Sequence, residues 1–309
     1  MIVALLGTLV ALELTARAYV YGIAKRSKLF RPDSLLGWSV IPGLDVERRN
    51  SDGRPWRIAT NELGLRGPAT WNPSAGRRVL VLGDSFAFGE GVDIEQRFDT
   101  LVSRDHPEWS LINLGVMGYG TDQQVIGARR YQLELGEGDS LILLTYGNDF
   151  ADLLRKTHSG RKKPWFTLES GRLVEHSPDL GWSQHLRDSS YLAAFVLSNM
   201  DRLDEPTQAE LASGAELYRA IVLELRDELA GRGVNLLIVH HGDRVLPEAE
   251  LPAFYDGLCR EPGLVCTALD APMAEAAESS FLSDGHWSAQ GHRQVAAILS
   301  EVLEQTATP

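Results

Sequence analysis

The chain of 309 residues is 44% hydrophobic and 23% charged, which supports a packed core and excludes a largely disordered or low-complexity protein. Thirty Lys and Arg against 42 Asp and Glu leave a formal charge of -12. That balance argues against non-specific nucleic-acid binding, which depends on neutralising phosphates with basic side chains. Two cysteines, Cys259 and Cys266, are too few for a disulfide scaffold or a cysteine-based zinc site.

Residues 2–12 form an unbroken run of apolar and small side chains, and the apolar stretch continues to Ile23, 22 residues in all and long enough to span a bilayer as a helix. Glu13 and Arg17 interrupt it four apart; on a helix they share a face and pair, which softens the burial of either. Residues 1–28 are therefore read as a hydrophobic anchor or signal, with the membrane met through residues 2–23 and the bulk of the chain extracytoplasmic. A cleaved signal peptide, with Ala16-Arg17-Ala18 as a small-x-small site, and a helix packed on the protein's own surface are the competing readings. Lys25, Arg26, Lys28 and Arg31 oppose export, since the positive-inside rule keeps such a flank cytoplasmic. Cys259 and Cys266 bracket a short loop that a disulfide closes in an oxidising compartment; two separate buried thiols fit equally well.

Residues 29–76 carry turn formers (Pro32-Asp33, Pro42-Gly43, Asp52-Gly53, Asn72-Pro73) and no helical periodicity, so they read as an extension of loops and short strands. From residue 77 to 309 the pattern alternates. Continuous apolar runs at 79–82, 111–114, 141–146, 234–239 and, more weakly, 264–266 predict buried parallel strands. Helical patterns at 95–106, 121–135, 208–231 and 288–305 separate them, with Gly231 and Gly233 ending the third and Ser288 opening the fourth. The alternation predicts a parallel sheet covered on both faces. An insertion at 150–206 breaks the rhythm: a hairpin over 165–174 turning at Ser170-Gly171, then a helix over 190–203. Placed after a strand, it overhangs the strand ends like a lid.

Four polar clusters fall on that rim. Gly83-Asp84-Ser85 follows the first strand and presents a serine hydroxyl at a tight strand-to-loop turn. The stretch from Asn113 to Thr121, rich in glycine, follows the second, where a bare backbone N–H can approach a ligand oxygen closely. Gly147-Asn148-Asp149 follows the third, and an Asn carboxamide there can donate to a developing oxyanion. Asp284-Gly285-His286 precedes the last helix and pairs a carboxylate with a base. Each cluster alone is ordinary turn or cap chemistry; their shared rim is what points to catalysis.

The four clusters together resemble the SGNH hydrolase superfamily, or GDSL-type esterases, over about residues 78–304 apart from the insertion. The resemblance implies an α/β fold, a three-layer α/β/α sandwich around a parallel, doubly wound, flavodoxin-like sheet. It implies Ser85 as nucleophile, His286 as base and Asp284 as the orienting acid. The implied oxyanion hole is the N–H of Ser85, the N–H of Gly118 (with Gly115 as competitor) and the side chain of Asn148. One residue separates Asp284 from His286 where the commonest pattern has two. The resulting Asp-x-His-Trp form is similar to relatives acting on bacterial exopolysaccharides, including alginate O-acetylation proteins. Asn61-Glu62-Leu63-Gly64-Leu65-Arg66-Gly67 likewise resembles membrane-anchored members of polysaccharide clusters. An α/β-hydrolase shares the chain order but requires Gly-x-Ser-x-Gly, which Gly83-Asp84-Ser85-Phe86-Ala87 does not supply.

Other polar groups read as structural. His240-His241 and Asp243 end a strand without ligand spacing, and His292 reads as a packing residue of the last helix. No dinucleotide or phosphate loop is present in the glycine pattern, so no cofactor and no metal are expected. Arg161-Lys162-Lys163 is a solvated charge run by default, or steers an anionic polymer towards the rim. Trp165, Phe166, Trp182 and Trp287 read mainly as packing residues with the capacity to stack on sugars. The expected activity is hydrolysis of O-acyl, chiefly acetyl, esters on a carbohydrate, with transfer to a sugar hydroxyl and non-catalytic polysaccharide binding as alternatives.

Overall fold

The computed structural model describes residues 2–19, 28–130, 135–201, 206–241, 250–274 and 280–306. The apolar N-terminus is a 17-residue helix, α1 (Ile2–Ala18). Leu5, Leu6, Leu9, Val10, Leu12 and Leu14 are all exposed on it. Glu13 pairs with Arg17 at 2.8 Å and also accepts from the N–H groups of Tyr191 and Leu192 and the Ser190 hydroxyl, so the interrupting charge ties the helix to the protein. Among the described residues no helix is long and apolar enough to cross a membrane. The span expected over 2–23 is thus corrected to α1, and residues 20–23 lie outside the described residues.

Two antiparallel hairpins follow, β1 (Phe30–Asp33) with β2 (Gly37–Val40), and β3 (Asp45–Arg49) with β4 (Pro55–Ala59). Strand alternation turns Trp56 and Ile58 of β4 inward, and Trp38 and Val40 of β2 join them in the core. The chain continues through β5 (Arg77–Leu82), α2 (Ser85–Phe88), α3 (Phe98–Asp105), β6 (Trp109–Asn113), α4 (Thr121–Ala128), β7 (Ser140–Tyr146) and α5 (Asp149–Leu153). Next come two further hairpins, β8 (Thr157–His158) with β9 (Arg161–Lys162) and β10 (Trp165–Glu169) with β11 (Arg172–His176), then α6 (Trp182–Ser189) and α7 (Tyr191–Asp201). The remainder is α8 (Gln208–Ala230), β12 (Asn235–His241), α9 (Glu250–Leu258), β13 (Leu264–Ala268), α10 (Asp270–Ala274) and α11 (Ala289–Thr306).

Five strands form one parallel sheet in the order β13-β12-β7-β5-β6. The chain starts inside the sheet, steps to one edge and returns across to the other, the flavodoxin-like winding expected. Side-chain alternation splits the core into two layers. Leu80, Leu82, Leu141, Leu143, Leu236 and Ile238 pack with residues of α4, α8 and α9, while Val79, Val81, Ile142, Leu144, Leu237 and Val239 pack with α3 and α11. The topological switch lies between β5 and β7, so the loops after β5, β6 and β7 crowd one crevice at the strand ends.

The extension and the insertion meet beside this crevice. A Cβ on Gly37, whose φ is +81°, would lie 1.9 Å from the Lys162 carbonyl oxygen, so only glycine lets β2 approach β9. Cys259 and Cys266 are joined in a disulfide that links the end of α9 to the edge strand β13. The helix expected over 121–135 is described as α4, ending at Ala128, and α6 is an added helix that no apolar pattern marks.

Candidate active site

Ser85 opens the four-residue helix α2 directly after β5. Gly83 is needed behind it, because a Cβ there would sit 2.6 Å from the Cβ of Ala87. Asp84 caps the helix by accepting from the Phe86 N–H at 2.9 Å. At the other end Gly89, at φ +76°, donates to the carbonyls of Ser85 and Phe86. Burial pushes the Asp84 carboxyl up to about 6, with nearby Asp152 adding to the rise and the Phe86 N–H and His286 opposing it.

Arg66 explains the extension's conspicuous loop. Asn61 accepts from the N–H groups of Leu63 and Leu65 and donates to the Gly67 carbonyl, which shapes the loop and sends Arg66 inward. There its guanidinium donates to the carbonyls of Phe88 (3.1 Å), Gly89 (2.9 Å), Arg57 (2.9 Å) and Val92 (2.5 Å). A short helix leaves its last carbonyls without partners, and Arg66 supplies donors for those after Ser85.

His286 sits in a tight turn just before α11. The Leu282 N–H donates to the His286 carbonyl, the Gly285 N–H to the Leu282 carbonyl, and Phe281 bridges Trp287. The turn is held from outside by the β3–β4 loop: Ser283 N–H donates to Asp52 at 2.9 Å, and Asp284 N–H to the Ser51 hydroxyl at 3.3 Å. His286 Nε2 lies 2.8 Å from Ser85 Oγ, across 201 residues of sequence. Its Nδ1 is 3.2 Å from Asp284 Oδ1, an ion-pair distance, yet the Nδ1–H is not aligned for a hydrogen bond. Asp284 Oδ1 accepts instead from the His286 backbone N–H at 3.1 Å, so a small ring rotation separates this arrangement from a linear contact. Glu90 Oε2 stands 3.6 Å from His286 Nε2 as a second carboxylate near the imidazole.

The donor side is built from the other two loops. Val116 to Tyr119 form a turn closed by the Tyr119 N–H to the Val116 carbonyl, with Gly118 at φ +78° in the position that favours glycine. Gly115 N–H is committed to Asn113 Oδ1 at 2.8 Å, and a Cβ on Gly115 would strike Ala87 and Phe88 N at 2.6 Å; it packs the loop on α2. The N–H groups of Ser85 and Gly118 have no acceptor among the described residues, which favours Gly118 over Gly115 as an available donor. Asn148, at the start of α5, gives one Nδ2 hydrogen to Asp152 Oδ2 at 2.7 Å and keeps the other.

Asp152 and His158 belong to this neighbourhood although the motifs do not mark them. Asp152 Oδ1 is 3.3 Å from His158 Nδ1. His158 Nε2 in turn lies 2.8 Å from where a Gly118 Cβ would be. Burial raises the Asp152 carboxyl, but His158, Lys163 and Arg155 together outweigh it and hold the group below the usual carboxylate value. Asp149 accepts from the Thr121 hydroxyl (2.6 Å) and the Tyr146 N–H (2.9 Å), joining α4 to the end of β7, and burial followed by repulsion from Asp84 pushes it well up. Asp152 had a signal in its i, i+4 spacing from Asn148; His158 had none.

The remaining polar candidates are accounted for by packing. His240 stacks on Tyr255 with centroids 3.9 Å apart, and His241 Nδ1 lies 3.2 Å from Asp270. His292 is buried and accepts from the Phe98 N–H; burial and the nearby Arg97 lower it to about 3, so it stays neutral. Trp165 stacks on His176, Phe166 and Trp287 are buried, and Trp182 is 78% exposed. Lys163 is not solvated: it is buried in an ion pair with Asp122. Among the described residues no group of three or more His, Cys, Asp or Glu side chains is placed to hold a metal ion.

No family model and no curated protein matches the sequence. Among solved structures the chain is similar to a member of the lipolytic protein G-D-S-L family from Veillonella parvula DSM 2008, at 13% identity, 74% coverage of this chain, 100% of that one, and a TM-score of 0.43. It is also similar to a G-D-S-L family protein from Desulfitobacterium hafniense DCB-2, at 13% identity, coverage of 73% and 98%, and a TM-score of 0.40.

Proposed function

We propose that this chain is a serine esterase of the SGNH type that hydrolyses O-acyl esters, chiefly acetyl, on a carbohydrate. The observation that carries the reading is the 2.8 Å contact between Ser85 Oγ and His286 Nε2 beside two uncommitted backbone N–H groups. Ser85 Oγ attacks the acyl carbonyl while His286 Nε2 takes its proton. Ser85 N–H, Gly118 N–H and the free Nδ2 hydrogen of Asn148 hold the tetrahedral oxyanion, each donor worth roughly 3 kcal/mol. Collapse breaks the bond to the sugar oxygen, which leaves with the proton from His286. Water, deprotonated by the same nitrogen, then releases acetate and regenerates Ser85. Asp284 holds the imidazole and balances its positive charge during both steps.

Hydrolysis is favoured over transfer by exposure. Ser85 is half-buried, the His286 side chain is 22% exposed and that of Asp284 39%, so water reaches the acyl-enzyme. The apolar helix α1 and the disulfide support a protein held at a membrane surface with its hydrolase part in an oxidising, extracytoplasmic compartment. The test is turnover of an activated acetyl ester, with and without an acceptor oligosaccharide, alongside labelling by a serine-directed phosphonate. Acetate release and a label on Ser85 that disappears in Ser85→Ala are expected. Absence of both label and turnover overturns the esterase reading, and an acetylated acceptor turns it into a transferase.

A further inference from the structure

A cavity of about 260 Å³ lies between the extension and the insertion, apart from Ser85. Among the described residues, Lys28, Arg31, Arg48, Arg161 and Arg187 line it against one acidic residue, Asp188. Five cations facing one carboxylate is a local reversal of sign in a chain whose net charge is -12. Surface basic residues are ordinarily spread among acids, so this concentration in a concave site sets up a positive potential focused by its walls.

The arginines are held in place. Gly37 lets β2 press on β9, which brings Arg161 under the first hairpin. The Arg161 guanidinium lies over the rings of Phe30 at 4.8 Å and Trp38 at 5.8 Å, and no hydrogen-bond acceptor reaches it among the described residues. Arg187 donates twice to the Ser159 carbonyl in the β8–β9 turn, at 3.2 and 3.1 Å, and pairs with Asp188, which fixes its guanidinium in the cavity wall. Asp188 is shared between Arg187 at 3.4 Å and Gln184 at 3.0 Å, and Gln184 accepts from the Lys162 N–H at 2.9 Å. The walls are thus fixed by hydrogen bonds that do not neutralise Arg161. Burial, with Arg187 adding repulsion and Asp188 opposing both, lowers the Arg161 guanidinium to about 9. Ring faces stabilise a guanidinium by attraction to the π system but accept none of its hydrogen bonds in the plane.

We propose that this cavity binds an anionic group, a carboxylate or a phosphate, with Arg161 as its principal ligand and Arg187 and Arg31 beside it. Arg161 presents a planar fork of donors, which suits either anion in two-point contact. The volume stands just under the usual range of small-molecule sites, room for one anionic unit rather than a long segment. Trp38 belongs to its wall and also donates to the Met117 carbonyl next to Gly118, with its ring 6.1 Å from that of His158. The bound anion therefore sits one side chain away from the Gly118 turn without entering it.

The test is isothermal titration calorimetry on the full chain in neutral detergent, with inorganic phosphate, galacturonate and galactose as separate probes. Phosphate and galacturonate are expected to bind and galactose not; the tighter of the two anions tells a phosphorylated ligand from a uronate-bearing saccharide. Arg161→Gln is expected to weaken both anions by about tenfold or more. Arg31→Gln, on the exposed rim where folding is not at stake, is expected to weaken them severalfold. Ser85→Ala should bind as the wild type does, which separates this site from the esterase reading. Galactose binding as well as galacturonate, no binding of either anion at about 20 mM, or wild-type affinity in both arginine variants overturns the proposal. If Arg161→Gln fails to fold, Arg31→Gln decides alone.

Discussion

Arg66→Met isolates the contribution of the extension to the Ser85 loop. Methionine keeps the apolar stem over Trp56 and Phe88, where the guanidinium now lies 5.1 and 5.5 Å from the ring centroids, and removes four donated hydrogen bonds. Burial, with Arg97 beside it, lowers Arg66 to about 9, so it is still a cation at neutral pH and its bonds are charge-assisted. Each buried carbonyl left without a donor costs ~1–3 kcal/mol, while removal of a desolvated cation returns part of that. The balance expected is a loss of about 3 kcal/mol, read as a lower urea midpoint at unchanged slope. Three of the four carbonyls lie in the segment that closes α2, so phosphonate labelling of Ser85 is expected to slow by about tenfold in the folded variant. Arg66→Lys is not expected to rescue, because one ammonium cannot span four carbonyls. Stability within 1 kcal/mol of wild type together with normal labelling would refute the reasoning, and leave Gly89 and the 3.4 Å donation from Arg97 to the Phe88 carbonyl as sufficient closure for the loop.

Further expectations concern the site and its supports. Gly118→Ala forces a left-handed φ on alanine and drives its Cβ against His158, so kcat/KM for an acetyl ester should fall about a hundredfold with little change in fold by circular dichroism. Asp84 is raised from 3.8 to about 6, so its burial as a carboxylate opposes folding above pH 6 and ceases to do so below pH 4. Asp84→Asn, which retains an acceptor for Phe86, should be more stable than wild type at pH 7.5 by on the order of 3 kcal/mol and equal to it near pH 4; a difference independent of pH would contradict the assignment. Asp52→Ala should lower kcat severalfold with KM unchanged, and Asp52→Asn much less, since the amide oxygen still accepts from Ser283. Reduction of Cys259–Cys266, which closes a short loop, should lower stability by about 2 kcal/mol in a denaturant titration.

The sheet was legible because each of its strands is a short apolar run and each covering helix has its own stripe, so local pattern and final burial agree. Of the candidate site, Ser85, Gly118, Asn148 and His286 stand out in the sequence as polar breaks flanking the strands and the last helix, and the contact of Ser85 with His286 is what the fold adds. What escaped was the support. Arg66 reaches carbonyls 22 to 26 residues away, and Asp52 meets Ser283 across 231, contacts that no periodicity announces. Lys163 reads as part of a solvated run, yet its partner Asp122 lies in a different element and buries it. Helix α6 has the polar sequence WSQHLRDS and a glycine at its N-cap without a side-chain hydrogen bond, so neither stripe nor cap gives it away. The apolar N-terminus went the other way: hydropathy marks its content, while the tie from Glu13 to residues 190–192 is tertiary.

Ser85 and His286 are brought together over 201 residues, and one stretch of chain, from Ser51 to Arg66, touches the supports of both. It works as a jig keyed into the core by Trp56 and Ile58. The five strands owe their pairing to one another, so a cut in the backbone between residues 67 and 76 leaves the sheet its own hydrogen bonds while loosening the jig. Foldedness and alignment of the site are thereby separable, and a proteolytic nick at that surface segment is expected to slow labelling of Ser85 on the scale of the Arg66 and Asp52 substitutions in a molecule that keeps its sheet.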